Sequence, residues 1–226
     1  MEKQEYSYYI FRQGRFTNST RYNNTKEGTL MKRNIFIAFA VLVLSIPVFA
    51  SGSTWQIDPG HSSFEFKVRH LTVSNVRGNF TKATGVVTLE DKGIANLTIN
   101  ITIDASSVNT EHAKRDEHLR TPDFFDVARY PNITFISKKV LGNGPERLKV
   151  IGDLTIRGVT REITVDVEGP TPEVKDSSGN FRRGASATAK INRKDFGILW
   201  NRVLDTGGLL VGDEVNIYVE VELVKK

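Results

Sequence analysis

Residues 215–223 read VNIYVEVEL, and this stretch decides the fold class of the chain. Its apolar side chains alternate strictly with polar ones. A period of two places successive side chains on opposite faces of an extended chain, which is typical of a strand with one buried face. The buried face would consist of Val215, Ile217, Val219, Val221 and Leu223. The stretch therefore predicts a β-strand that covers an apolar core.

The same alternation recurs in residues 63–69, 97–103 and 163–168. Weaker apolar segments are separated by Gly, Asn and Asp, which favour turns. These weaker candidates are residues 76–80, 86–90, 133–140, 148–156 and 185–191. About eight or nine strands are expected, and the pattern predicts an all-β domain.

Short connections between the strands predict an antiparallel sheet. Residues 91–93, 142–144 and 177–180 contain the Gly and Asn residues that adopt hairpin turns at low cost. Such a sheet hides its apolar face either by packing against a second sheet or by closing into a barrel. Periodicity alone does not choose between a sandwich and a barrel.

One segment interrupts the strands. Residues 110–119 are rich in Glu, Lys, Arg and Ala, and they predict a short helix with Asn109 or Thr110 as its N-cap. Glu111 and Arg115 are spaced for an i, i+4 ion pair on the surface of that helix.

The first fifty residues have the features of a targeting sequence. A positive segment at 31–33 is followed by an apolar run at 35–46 and by small residues that end at Ala50. This order predicts a secretory signal that starts at Met31 and is cleaved after Ala50. The apolar run is shorter than the ~20 residues that span a bilayer, so an uncleaved anchor is the weaker alternative. Residues 1–30 are either untranslated or a genuine extension.

Charge and cysteine content limit the function of the remaining domain, residues 51–226. Residues 1–50 contain 7 of the 31 Lys and Arg residues and 3 of the 26 Asp and Glu residues, so the rest has a net charge near +1. A nearly neutral domain does not favour nucleic acid as a partner. The chain has no cysteine, which excludes disulfides and lipoprotein acylation. A homodimer is compatible with the sequence.

Catalytic and metal-binding patterns are weak. His112, Asp116 and His118 invite a metal hypothesis, but six residues of helix point the two histidines about 120° apart. No activated Ser or Cys nucleophile is evident. The sequence therefore predicts a protein that is not an enzyme and that holds neither metal nor cofactor.

Polar and aromatic residues on the apolar faces are the candidate binding residues. The parity of Phe64 places Ser62 and His70 on the inner side of the first strand, where a polar group needs a protein, water or ligand partner. The inward aromatic residues are Phe64, Phe66, Phe80, Phe135, Phe196 and Trp200. They form either a packed core or the wall of a binding cavity.

Four blocks of sequence carry a resemblance to a known family, in matching order and spacing. They are WQID at 55–58 with HS at 61–62 and FKVRH at 66–70; RDEHL at 115–119 with DFFD at 123–126 and YP at 130–131; GDLTIRG at 152–158; and DFGILW at 195–200 with VGDEV at 211–215. In these blocks the chain resembles the YceI-like family of polyisoprenoid-binding periplasmic proteins.

The resemblance implies a lipocalin-like antiparallel barrel of about eight strands with one short helical insertion, in residues 51–226. It also implies an apolar channel for an isoprenoid amphiphile, such as a polyprenyl diphosphate or a quinone-like lipid, and a periplasmic location. The expected lipid-binding residues are Phe64, Phe66, Val68, His70, Phe80, Phe135, Phe196, Ile198 and Trp200. The alternatives are a hydrolase or isomerase acting on such a lipid, and a lipid-free structural or stress-related sandwich.

The signal sequence makes the first testable prediction. Exported protein should begin at or near Ser51, because the cleavage pattern ends at Ala50. N-terminal sequencing of the protein from its host checks this. Recovery of a mature chain that keeps residues 1–50 would refute both the signal and the periplasmic assignment.

Overall fold

The structure is a computed structural model that describes residues 52–90, 94–142, 147–203 and 208–226. The predicted extension and signal at 1–50 lie outside the described residues, as do the turn at 91–93 and part of the turn at 142–144. Within the described ranges, no helix combines the length and the apolar character needed to cross a membrane.

Twelve antiparallel strands and one α-helix make up the described part of the domain, together with four short 3-10 turns. The strands are β1 (Gly52–Ile57), β2 (Ser63–His70), β3 (Ser74–Phe80), β4 (Ala83–Glu90), β5 (Thr98–Asp104), β6 (Val108–Asn109), β7 (Asn132–Leu141), β8 (Leu148–Ile156), β9 (Val159–Glu168), β10 (Val174–Lys175), β11 (Phe181–Asn192) and β12 (Val211–Lys225). The helix α1 spans Ala113–Arg120.

Strand β12 closes this sheet into a barrel. One edge of β12 pairs with β11 over nearly its whole length, from Arg182 opposite Val224 to Asn192 opposite Glu214. The other edge pairs first with β2 and then with β1. Because β11 continues through β9, β8, β7, β5 and β4 back to β1, the ring is complete.

The barrel has eight staves, three of which are bent. β1 and β2 form one stave, broken at the 3-10 turn Pro59–His61, and β3 and β4 form the second. β5 and β6 form the third, broken at Ala105–Ser107. The closed eight-strand antiparallel barrel with one helix confirms the predicted fold, and the barrel replaces the sandwich alternative.

All nine strand segments expected from the sequence are strands in the structure, and residues 148–156 match β8 at both ends. The expectation omitted β1, β6 and β10. β6 and β10 have only two residues each, which is too short to show a period.

The helix begins later than the sequence predicted. Glu111 has a φ of +60°, a left-handed conformation that cannot belong to a helix, so α1 starts at Ala113. The N-cap is His112, whose Nδ1 accepts a hydrogen bond from the backbone N–H of Arg115. Asn109 and Thr110 as N-caps were therefore wrong predictions.

The predicted pair between Glu111 and Arg115 was also wrong. The Arg115 guanidinium instead donates to Oγ1 and to the carbonyl oxygen of Thr110, at 2.7 and 2.8 Å. Thr110 is buried, and its backbone N–H donates to the carboxylate of buried Asp116 at 2.8 Å. These contacts link the first turn of α1 to the residue that follows β6.

The apolar core is divided between the two ends of the barrel. At one end, which we call the closed end, Trp55, Leu148, Val150 and Leu223 are fully buried. At the other, the helix end, a second cluster contains Phe124, Leu154, Phe196 and Ile198. Both clusters and all eight staves are formed by described residues between 52 and 226.

An ion-pair network joins four segments at the closed end. The guanidinium of Arg182 on β11 donates to Asp58 at 2.8 Å, to Asp176 at 2.6 Å, and to Glu222 on β12. The hydrogen bonds from Arg182 lower the pKa of both Asp58 and Asp176 to about 2, with a further contribution from His61 at Asp58. The network ties the corner between β1 and β2 to the β10–β11 turn.

These lowered pKa values predict a specific loss of stability in acid. A carboxylate with a lowered folded pKa stabilises the protein fully above its ordinary value of 3.8 and stops doing so as the pH falls toward about 2. Arg182→Gln should lower the urea midpoint near neutral pH, and its deficit relative to wild type should shrink between pH 3.8 and 2. A control, Lys149→Gln, removes only the exposed pair with Asp166 and should have little effect. A deficit independent of pH would contradict this account.

Candidate ligand cavity

The barrel encloses a cavity of about 410 Å³ between its two core clusters. Its volume falls within the range of about 300 to 1,000 Å³ that small-molecule sites occupy. All nine residues expected to bind lipid lie on its wall: Phe64, Phe66, Val68, His70, Phe80, Phe135, Phe196, Ile198 and Trp200. Their placement around one space is a finding, whereas their role in binding stays a prediction.

The inward side chains in the middle of the barrel do not fill it. Phe66, Val68 and Phe135 remain partly exposed although they point inward, because part of each side chain faces the cavity. Phe64 and Phe196 are buried, since they belong to the packed ends. The aromatic residues thus serve partly as core and partly as cavity wall.

The wall is almost entirely hydrocarbon. Its deep part is lined by branched aliphatic side chains from four staves, namely Ile99, Val150, Val165, Val167 and Val219. The strict period of two in the strands produces this surface, because it sends every second side chain inward. Such a lining attracts an apolar molecule and offers few partners to a charged one.

Aromatic rings gather at the helix end of the cavity. The Phe80 ring lies 5.8 Å from that of Phe66 and 5.5 Å from that of Phe125, between ring centres. Gly78 on β3 allows this arrangement, since a Cβ atom there would lie 2.5 Å from the Phe66 ring. Phe125 belongs to the DFFD block, but its position on the wall was not predicted.

A second aromatic group is built around His118 of α1. The His118 ring centre lies 5.0 Å from those of both Phe124 and Trp200, each in an edge-on arrangement. The ring nitrogen Nε2 of His118 is 2.8 Å from Oδ2 of Asp123, which holds the imidazole in place. The helix thereby covers one side of the cavity.

Arg193 organises the segment between β11 and β12. Its guanidinium is buried and donates to the carbonyl oxygens of Ile198, Trp200 and Gly212 at 2.7 to 2.9 Å. Burial lowers its pKa, and the carboxylate of Asp213 at 3.1 Å opposes that effect. Sequence reasoning missed Arg193, because nothing in the local pattern marks a charged residue as buried.

The two polar residues predicted to face inward behave differently. His70 lines the cavity, and no side-chain hydrogen bond to it is found among the described residues. Ser62 does not line the cavity; its Oγ accepts a hydrogen bond from the backbone N–H of Glu222 at 3.0 Å, so that part of the prediction was wrong. The chain turns at Pro59–His61 before β2 begins, which removes Ser62 from the strand's parity.

The structure brings no metal-type cluster together at α1. His112 caps the helix and His118 contacts Asp123, so the two histidines have separate partners. In the described ranges, the group with ligand-like spacing is Asp58, His61 and Glu222 at the closed end, where Arg182 already binds both carboxylates.

Comparison of the chain with known proteins identifies its family. Residues 55–223 match the YceI-like domain. A UPF0312 protein of Staphylococcus aureus is 38% identical over 170 residues, covering 75% of this chain and 96% of that protein. A UPF0312 protein of Vibrio parahaemolyticus is 35% identical, covering 74% and 89%.

Solved structures agree with the sequence matches. The YceI protein of Campylobacter jejuni is 36% identical with a TM-score of 0.59, covering 70% of this chain and 90% of that one. BcnA of Burkholderia cenocepacia shares the fold at 24% identity, with a TM-score of 0.62 over 74% and 98%. On the extent of the domain match and these relatives, the chain belongs to the YceI-like family.

Proposed function

We propose that this protein is an exported, periplasmic carrier that binds an isoprenoid-type lipid inside its barrel. The observation that carries the proposal is the cavity itself, a hydrocarbon-lined space toward which inward aromatic side chains remain partly exposed. A further support is a polyisoprenoid binding domain from Saccharophagus degradans, which shares the fold at 17% identity and a TM-score of 0.57.

The expected affinity suits a carrier. At about 0.3 kcal/mol for each heavy atom, a lipid of roughly 40 atoms would bind with about 12 kcal/mol, which corresponds to nanomolar dissociation. Binding of that strength retains a water-insoluble molecule and still permits release.

The polar groups on the wall support binding more than catalysis. Arg115, His118 and Arg193 line the cavity, but each is held by protein partners described above. A hydrolase or isomerase needs an acid and a base that converge on the substrate. We therefore propose a binding protein and not an enzyme.

Truncation of Phe66 tests whether the cavity holds lipid. In a packed core, Phe66→Ala would cost about 3 to 5 kcal/mol of folding stability. On a cavity wall it should cost clearly less, because space already lies beside the ring. Geranylgeraniol should raise the melting temperature of wild type more than that of the variant, since a ligand that binds only the folded state stabilises it.

The matched control for this experiment is Phe181→Ala. Phe181 is exposed on the outside of β11, away from the cavity, so its truncation should leave the lipid-dependent rise in melting temperature unchanged. A strongly destabilised Phe66→Ala variant, together with no lipid-dependent change in wild type, would overturn the carrier function.

His70 provides a test of head-group binding. Its imidazole lies on the wall and has no side-chain hydrogen bond among the described residues, and we propose that it donates to an oxygen of the lipid head group. His70→Ala should weaken geranylgeraniol binding by about 1 to 3 kcal/mol while changing the melting temperature of lipid-free protein little. The comparison is His61→Ala, an exposed histidine that does not line the cavity. Equal losses of affinity and stability in His70→Ala would mean that the residue is structural.

A further inference from the structure

The helix end of the barrel carries three strongly exposed aliphatic side chains. Val73 is 74% exposed, Leu199 is 65% exposed and Val203 is 75% exposed. We call these three residues the rim patch. Exposure of apolar side chains to water is unfavourable, and a contiguous patch of them marks an interaction site.

Backbone hydrogen bonds hold the segments of the rim patch side by side. The N–H of Leu71, two residues before Val73, donates to the carbonyl of Leu210 at 2.9 Å. The N–H of Leu210 donates in turn to the carbonyl of Arg202, next to Val203, also at 2.9 Å. Val73 and Val203 therefore lie on adjoining segments.

Arg193 fixes the third segment of this surface. It donates to the carbonyl oxygens of Ile198 and Trp200, which flank Leu199, and also to the carboxylate of Asp213 on β12. Leu199 thus points outward between two residues whose side chains line the cavity. The rim patch is held in place by the same contacts that shape the cavity.

The cavity reaches the surface beside the rim patch. Exposed Arg69 and partly exposed His70 belong to its wall and immediately precede the turn that carries Val73. Leu210 and Val211, which contact that turn, also line the cavity. A molecule that enters or leaves at this end passes the rim patch.

Exposed positive charge accompanies the apolar side chains. Arg69 and Arg202 are exposed within the segments that form the rim. Of the acidic residues in residues 69–75, 193–203 and 208–213, Asp213 is paired with Arg193 and Lys194, which leaves Asp195. Aliphatic side chains with flanking cations match a bilayer that contains anionic lipids.

We propose that the rim patch docks the barrel onto the surface of an anionic lipid bilayer, with the opening of the cavity toward the bilayer. This inference rests on the proposed carrier function, and it adds the place where the ligand is loaded and released. A lipid that crosses directly from bilayer to cavity never exposes its chain to water, which removes the main barrier to transfer.

Binding of residues 51–226 to lipid vesicles tests the proposal. Wild type should sediment with vesicles of phosphatidylcholine and phosphatidylglycerol, and less with phosphatidylcholine alone. Val73→Asp and Leu199→Asp should each lower the partition constant about tenfold, because an exposed carboxylate replaces a side chain that enters the interface. Arg202→Gln should reduce only the increase in vesicle binding that phosphatidylglycerol causes.

The matched control is Val174→Asp at the closed end, where Val174 is 59% exposed and remote from the opening. It should bind vesicles like wild type. An equal loss in Val174→Asp, or no vesicle binding by wild type, would overturn the docking surface. The latter result would make a protein the partner of the patch.

A solution measurement separates this inference from the carrier function. Val73→Asp should retain the rise in melting temperature caused by geranylgeraniol, since Val73 does not line the cavity. It should, however, take geranylgeraniol from vesicles more slowly than wild type. If wild type binds vesicles through Val73 but shows no such rise, the carrier function fails while the docking surface stands.

Discussion

The pairing of β12 with neighbours on both edges is the constraint on which the rest of the structure depends. A half-buried antiparallel sheet that stays open must find a second layer to cover its apolar face, whereas one that closes covers that face with itself. The long ladder between β11 and β12 makes this closure. With eight staves the enclosed space is wide enough to hold more than the inward side chains, so closure also creates the cavity.

Packed core and open cavity lie at different levels of the same barrel. Trp55 and its neighbours pack the closed end, and Phe124, Phe196 and their neighbours pack part of the helix end. The residues between them face open space. Polar contacts reinforce both ends, through Arg182 at one and Arg193 at the other. The middle of the barrel can thus stay unpacked, because each end is stabilised by its own apolar cluster and polar contacts.

Periodicity in the sequence was sufficient for the strands and for the inward residues, because alternation is a local property that each strand shows by itself. The parity of Phe64 correctly placed Phe66, Val68 and His70 on the cavity wall. Arg193, the backbone turn at Glu111 and the direction of Ser62 could not be predicted in this way. Each depends on contacts between segments distant in sequence, or on a single backbone angle, and neither leaves a periodic signal.

The fully buried Trp55 makes the described barrel a tube with a floor. From His70 near the opening to Phe64 near that floor is six strand residues, or roughly 20 Å at about 3.3 Å each. A flexible chain in such a tube enters by one tip and leaves in the reverse order. In the proposed carrier, the floor would limit the length of tail that enters, and a tail longer than the tube would leave its remaining units outside, at the level of the rim.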